Sequence, residues 1–430
     1  MHNVGILSSA KDPVIEVVGI PIPFYMAPLI VLILLYTAWF LAPATTLKGI
    51  LIAGHLWPLW VPPLLAIITW GVWMKFRQAQ WWAGQETTLF ELKIPREIFK
   101  SPLAMEAVLS GMHRKSGEGN FWDRSILGKF RAAYSLELVS FEGQIRFFVW
   151  ARKGMQNAVE TSFYGQYPEI QIVEVDDYAL RFPIDLDKYG VWGLHYALTK
   201  DDVYPIKTYV DYGLDKDPKE EFKVDPFGNM LEFLGSVGRG QQVWIQMVIQ
   251  VSSKDWRKDG LAEMKKIRDD ARKEHKDSGD EGSIPPLSEE QKRAIEAVDR
   301  NTGKLAYDVG IRGLYIAEED KFNGAMIPGL IAIFRQFSSE SLNGFKPKDG
   351  MTKYSDFPWE SNRMKDGTRK ELLAMYKRRG FFRAPDAEHT FSLSTEELAT
   401  IFRIPSKVVE VPTLNRIQSS TGEPPANLPT

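Results

Sequence analysis

The sequence predicts a two-helix transmembrane hairpin followed by α+β domains, and three observations carry that prediction. Between Glu16 and Lys75 the only formal charge is Lys48, which divides the stretch from Pro21 to Met74 into apolar arms at Ile22 to Leu41 and Ile50 to Met74. Each arm is close to the ~20 apolar residues that a helix needs to cross a hydrocarbon core of ~30 Å. Beyond the arms, apolar and polar residues alternate at the strand period in several short runs separated by segments of helical spacing. The chain has 430 residues, so the part after the hairpin is long enough for two or three compact cores.

Taken in order, residues 1–20 form an N-terminal segment and 21–77 the hairpin. Lys11, Asp12 and Glu16 make this a poor secretory signal, which wants a basic start and a short apolar stretch. Trp39, Trp57, Trp60, Trp70, Trp73, Trp81 and Trp82 are seven of the thirteen tryptophans, and amphipathic rings at that density suit the headgroup boundary. Pro58, Pro62 and Pro63 make the second arm start or bend near Pro62. Lys75 and Arg77 follow the second arm, whereas the intervening turn offers only Lys48. The excess of basic residues therefore puts the large domain on the cytoplasmic side of an inner membrane, in a multi-pass protein. Gln78 to Thr88 is expected as an interfacial connector.

Residues 78–179 read as a ferredoxin-like βαββαβ domain. Leu89 to Ile94 alternates as a strand, and Ser101-Pro102 opens a helix with Ala104, Val108 and Met112 on one face. Lys115 to Asp123 is a Gly-rich polar loop. Tyr134, Leu136 and Leu138 lie on a strand that turns at Glu142-Gly143 into Ile145, Phe147 and Val149. A second helix carries Met155, Val159 and Phe163, and Ile170 to Val175 closes the unit. Residues 180–341 offer a similar set of parts, a second α+β sandwich that would be a divergent repeat. Val191 to Leu198 is its first strand and Pro226 to Val237 its first helix. Val243 to Val251 and Leu305 to Ile311 are later strands, and Ile327 to Phe337 a later helix. Its charged segment and linker, 254–287, read as a solvated helix and a connection before a helix starting at Leu287. Residues 342–430 are an irregular region with a short helix announced by Ser394-Thr-Glu-Glu397, a capping-box pattern, and a Pro-rich extended tail.

The chemistry-bearing patterns are sparse. There is no cysteine, which excludes disulfides, thiolate metal sites and thiol nucleophiles. Gly128-Lys129 and Gly303-Lys304 are followed by Phe130 and Leu305 and cannot be phosphate-binding P-loops. Gly235 to Gly240 lies between a helix and a strand, the reverse of the dinucleotide-loop order, and reads as a helix cap and turn. His55 and His195 read as an interfacial and a core residue, and Asp176-Asp177 and Asp201-Asp202 as turn acceptors. Catalytic, cofactor and metal residues are therefore expected to be none. One basic cluster stands out, Lys377, Arg378, Arg379 and Arg383, interleaved with Tyr376, Phe381 and Phe382. It fits phosphate contact, from nucleic acid or from lipid headgroups, but fits better a solvated helix end whose cations complement the helix dipole. A net charge of -2 makes any grip on nucleic acid local rather than global.

Tyr164 to Ile170 (YGQYPEI), Leu393 to Pro405 (LSTEELATIFRIP), Val411 to Ile417 (VPTLNRI) and Gly422 to Pro429 (GEPPANLP) resemble the N-terminal, membrane-anchored region of conjugative type IV secretion ATPases of the HerA/FtsK superfamily. The likeness runs from the hairpin to the Pro-rich end. The ATPase core that comes after this region in that family has no counterpart here, so the resemblance carries no catalytic residue onto the chain. It implies a membrane-anchored, non-catalytic component of a type IV secretion-like transfer machine, with no cofactor of its own. Such a component would be homo-oligomeric and would scaffold or dock a separate P-loop ATPase of the HerA/FtsK type. A general membrane scaffold or envelope-assembly protein is the alternative.

Overall fold

The computed structural model describes residues 14–17, 20–23, 36, 39–95, 100–114, 119–182, 188–215, 225–277, 287–348, 361–382, 390–405 and 416–417. The chain divides into two compact units, Met1–Ala83 with Asn120–Lys129, and Gly84–Gly119 with Phe130–Thr430.

In the first unit, β1 (Val14–Val17) and β2 (Ile20–Pro23) pair antiparallel. The expected first membrane arm, Ile22 to Leu41, therefore begins in a strand, in keeping with Pro21 and Pro23, which cannot donate to a helix ladder. Most of the remainder of that arm lies outside the described residues. The second arm is divided. Helix α1 (Pro43–His55) has 13 residues, roughly 20 Å, short of a hydrocarbon core. Helix α2 (Trp57–Ala83) has 27 residues and continues past Met74 through most of the expected connector. Pro62 and Pro63 lie inside it rather than at its start. Among the described residues α2 is the one helix long and apolar enough to span a membrane, with mean hydropathy 1.4 and none of its apolar stretch buried.

The second unit is α+β, built on a ten-stranded sheet. Its first half runs β3 (Thr87–Pro95), α3 (Pro102–Met112), β4 (Ala133–Phe141), β5 (Gln144–Arg152), α4 (Gln156–Gln166) and β6 (Gln171–Val175). In the sheet these strands lie in the order β6-β3-β5-β4, all antiparallel. Glu142 and Gly143 make the β4–β5 turn with φ of 53° and 88°, the left-handed pair that matches strand twist. A Cβ on Gly143 would lie 2.9 Å from the Gly235 carbonyl oxygen, so the position requires glycine twice over.

After the short helix α5 (Tyr178–Arg181) the second half runs β7 (Tyr189–Leu198), α6 (Pro226–Gly235), β8 (Gln241–Val251), α7 (Trp256–Asp277), α8 (Glu289–Thr302), β9 (Ala306–Glu318), α9 (Met326–Ala332) and β10 (Phe345–Pro347). Its strand order is β10-β7-β9-β8, again antiparallel. The charged segment forms α7, and α8 starts on a complete Ser288–Gln291 capping box. Trp256, Met264, Val298 and Ala306 hold these two helices together in a small separate core. The expected helix from Ile327 to Phe337 stops as α-helix at Ala332 and ends in a 3-10 turn, Arg335–Phe337.

The two halves are not separate sandwiches: β4 pairs antiparallel with β8 along its whole length, and Glu137 stands opposite Gln246 at the middle of the register. On one face Leu136, Leu138, Ile145, Phe147, Ile245, Met247 and Ile311 meet α3, α4 and α6 in the main core. The other face carries α5 and α10 (Ser361–Arg378). Finally β11 (Phe391–Ser394) pairs with the start of β9, α11 (Thr395–Ile401) packs on α3, and the two-residue β12 (Arg416–Ile417) runs parallel to β3. The rest of the Pro-rich tail lies outside the described residues.

Candidate functional site

The basic cluster sits where α10 ends. Arg383 lies outside the described residues. Lys377 donates to the Phe182 carbonyl at 2.6 Å, and burial pushes its pKa down against the pull of Asp177. Arg378 is the last residue of α10 and has partners of its own within the protein. Arg379 turns inward. Its φ of 50° is the left-handed cap that usually falls to glycine, and its side chain is 1% exposed. The guanidinium reaches Glu137 at 2.9 Å and Asp177 at 2.6 Å and lies over the Trp150 ring. Burial alone would lower its pKa, but Glu137 and Asp177 outweigh burial and raise it. Its charge is thus held inside the molecule, and the cluster does not present four cations to one surface.

Around that pair the polar groups form a connected network. Glu137 also accepts from Ser135 at 2.7 Å, Tyr178 at 2.8 Å and Gln246 at 3.0 Å. The hydroxyls of Tyr178 and Tyr376 meet at 2.7 Å, and burial, with Glu137 adding to it, pushes both phenols well up. Four separate segments converge here: β4, β8, the start of α5 and the end of α10. The node clamps α10 across the join of the two half-sheets. Beside it an open groove of about 710 Å³ is lined by Phe148, Tyr178 and Trp244 together with Arg146, Glu174 and Asp176. Its lining charges are of both signs, so it makes no grip on one kind of ion.

A second polar knot lies on the helix side of the sheet, where Ser394-Thr-Glu-Glu397 forms the capping box that the sequence announces. What the pattern does not announce is that every residue of α11 is buried. Glu397 accepts from the backbone N–H of Ser394 at 2.8 Å and of Ile206 at 2.9 Å. Burial nevertheless pushes its carboxyl up to about 8. Glu396 takes the Thr208 hydroxyl at 2.6 Å, Lys304 at 3.1 Å and Arg300 at 3.4 Å. Lys304 also binds Glu106 at 2.7 Å; burial works against its charge, and the two carboxylates more than restore it. Arg403 pairs with Asp225, the N-cap of α6. These ionic groups tie α3, α6, α8 and the segment 391–405 to one another.

His195 is buried in β7 with its ring beside Phe381. Asp177 caps α5 as well as binding Arg379, and Asp202 accepts from the Ser392 backbone. Gly235 ends α6 ahead of β8. Among the described residues no three His, Asp or Glu side chains are grouped as metal ligands.

In the first unit the sequence reading missed a contact. The stretch read as a loop ends in a short helix, Phe121–Ser125, capped by the Asn120 side chain, which lies along α2. Phe121 stacks on Trp70, Trp73 donates to the Ser125 carbonyl at 3.2 Å, and Arg77 donates to the Ile126 carbonyl at 2.6 Å. The signal was present in Phe121-Trp122, two large aromatics at the edge of a polar run.

No curated protein matches the chain. A family model described as a domain of unknown function (DUF8128) does match, over residues 86–416, which takes in the sheet up to Arg416 and both polar knots and starts after α2. The chain therefore belongs to the DUF8128 family.

Proposed function

We propose that the protein is a membrane-anchored, non-catalytic assembly component of a type IV secretion-like transfer machine. It holds an α+β platform at the cytoplasmic face and docks a separate P-loop ATPase of the HerA/FtsK type. The observation that carries the anchor is α2: Trp57 to Met74 is apolar and solvent-facing, and at about 1.5 Å per residue it measures roughly 27 Å, close to a hydrocarbon core of ~30 Å. A soluble helix with such a surface would expose an apolar patch far larger than monomers tolerate. The basic residues Lys75 and Arg77 at its end support a cytoplasmic position for the platform. The non-catalytic reading is supported by how the buried charges are used. Glu137, Glu396 and Arg379 are each held by several partners inside the protein, as in structural staples.

The transfer machine rests on the resemblance of Tyr164 to Ile170 and Leu393 to Pro405 to the anchored region of those ATPases. We infer further that the platform is a ferredoxin-like unit and its divergent copy. The same chain order gives the same strand order in both halves, and the inward residues Tyr134, Leu136 and Leu138 of β4 occupy the places of Val243, Ile245 and Met247 of β8. The test is affinity isolation of the full-length protein from detergent-solubilised native membranes, with bound proteins identified by mass spectrometry. Recovery of a HerA/FtsK-type ATPase supports the proposal. Recovery of the protein with only itself or envelope proteins refutes the motor-docking part and leaves a general membrane scaffold.

A further inference from the structure

The short insert 120–129 belongs to the same compact unit as α2, and it runs along that helix in a fixed register. Phe121 is level with Trp70, Ser125 with Trp73 and Ile126 with Arg77. At Gly128 the backbone, with φ of 68°, passes so near the Arg77 carbonyl that a Cβ would collide with it, so the approach is built into the sequence. Although Phe121 stacks on Trp70, the insert leaves most of its two largest side chains open: Phe121 and Trp122 are each 61% exposed. Their neighbours toward the end of α2 are cationic. Lys75 and Arg124 are exposed, and Lys129 pairs with Asp123 at 2.9 Å.

We propose that this insert is a membrane-interface wedge. Its aromatic pair seats at the boundary between headgroups and acyl chains, and its cations lie among anionic phospholipid headgroups. The proposal rests on the reading of α2 as the membrane anchor and adds a second, separate contact to it. The register gives the depth. Trp70 lies about 7 Å below Lys75 along the helix axis, and the headgroup zone of one leaflet is about 5–7 Å thick. A ring stacked on Trp70 therefore sits at the outer edge of the hydrocarbon when Lys75 is at the surface. That is the depth at which Trp and other amphipathic aromatics partition, and basic residues one turn above it meet anionic lipid. The order of the insert, aromatic first and basic afterwards, matches the order of α2 itself.

The absence of native cysteine makes the test clean. Single variants Trp122→Cys, Leu65→Cys in the middle of the apolar helix, and Leu261→Cys on α7 are labelled with an environment-sensitive fluorophore. The full chain is then reconstituted in vesicles of phosphatidylcholine and phosphatidylglycerol. Quenching is read with lipids carrying a nitroxide near the headgroup or deep in the acyl chain, and with aqueous iodide. The proposal expects position 122 to be quenched several-fold more by the shallow nitroxide than by the deep one, and to be several-fold less accessible to iodide than position 261. Iodide quenching at 122 equal to that at 261, with position 65 still quenched by the deep nitroxide, overturns the wedge and leaves the anchor standing. Iodide quenching at 65 overturns the anchor and the wedge with it. If Trp122→Cys does not reconstitute, Arg124→Cys at the headgroup level carries the same two readouts.

Discussion

Arg379→Ala should loosen α10 from the sheet, by an amount set by the contacts Glu137 loses and keeps. Both side chains are essentially inaccessible, at 1% and 0% exposure. Removing one partner of a buried ion pair costs roughly 3–5 kcal/mol, because the other charge is left without compensation. Glu137 would still accept from Ser135, Tyr178 and Gln246, which places the loss near the lower end, at about 3 kcal/mol. Arginine pays a left-handed backbone penalty at φ of 50°, and alanine relieves none of it, since both carry a Cβ. The assay is hydrogen exchange by mass spectrometry on the full-length protein in detergent, following the peptides of α10 and of β4. A loss of about 3 kcal/mol appears as roughly a 100-fold faster exchange of α10 amides where local opening governs exchange. Glu137→Gln combined with Arg379→Ala should recover a good part of the loss, because the orphaned charge is gone. Exchange within about three-fold of wild type, or single-variant effects that add to within ~0.5 kcal/mol in the double variant, would refute the clamp.

Three further outcomes are expected. Glu397 has its carboxyl raised to about 8 in the fold, so the folded state holds a proton that the unfolded chain releases near the ordinary carboxylate pKa. Its contribution is full at low pH and is lost as pH rises through about 8; Glu397→Gln should flatten that decline in denaturant midpoints measured from pH 6 to 9. Gly143→Ala forces a Cβ onto a φ of 88° and to 2.9 Å from the Gly235 carbonyl oxygen. It should cost at least ~1–2 kcal/mol, seen as a lower melting temperature by near-UV circular dichroism. Leu65→Arg puts a charge at mid-helix, worth ~2.5–3.5 kcal/mol against insertion. The extractable fraction after alkaline carbonate should rise strongly, and an unchanged membrane fraction would count against α2 as the anchor.

The strands of the second unit were legible because their apolar residues fall at period two. Tyr134, Leu136 and Leu138, and later Val243, Ile245, Met247, Ile249 and Val251, all face the main core, and their order in the chain already carries the β-α-β-β-α-β pattern. The join of the halves was not legible. Alternation says which face a residue takes but not which edge its strand pairs with, so nothing in the pattern marks Glu137, on the face opposite Leu136 and Leu138, as buried. It is in fact at the centre of a ten-stranded sheet whose second face is also covered. The basic cluster misled for a related reason. Lys-Arg-Arg-Gly at a helix end has the composition of a solvated terminus, and only the approach of β4 and Asp177 turns one of its arginines inward. In the first unit hydropathy found α2 but not its ends. At the start of the first arm extended pairing at Ile20–Pro23 replaces helix, and the break at Leu56 leaves two helices of unequal length before Gly84.

The two polar knots have a common physical consequence. Each binds a late segment of the chain, α10 in one case and residues 391–405 in the other, to strands or helices from both halves of the sheet. Removing α10 with Arg379 would leave Glu137, which is 0% exposed, without its cation, and removing 391–405 would leave Lys304 and Arg300 without Glu396 and Asp225 without Arg403. The halves therefore need those segments to be stable as a pair, and the family match that runs to residue 416 covers a single cooperative body. The match begins after α2 but takes in residues 120–129, which run along that helix. The main core closes among residues of the second unit alone, so the apolar helix is accounted for, on the anchoring proposed above, by where the body has to work.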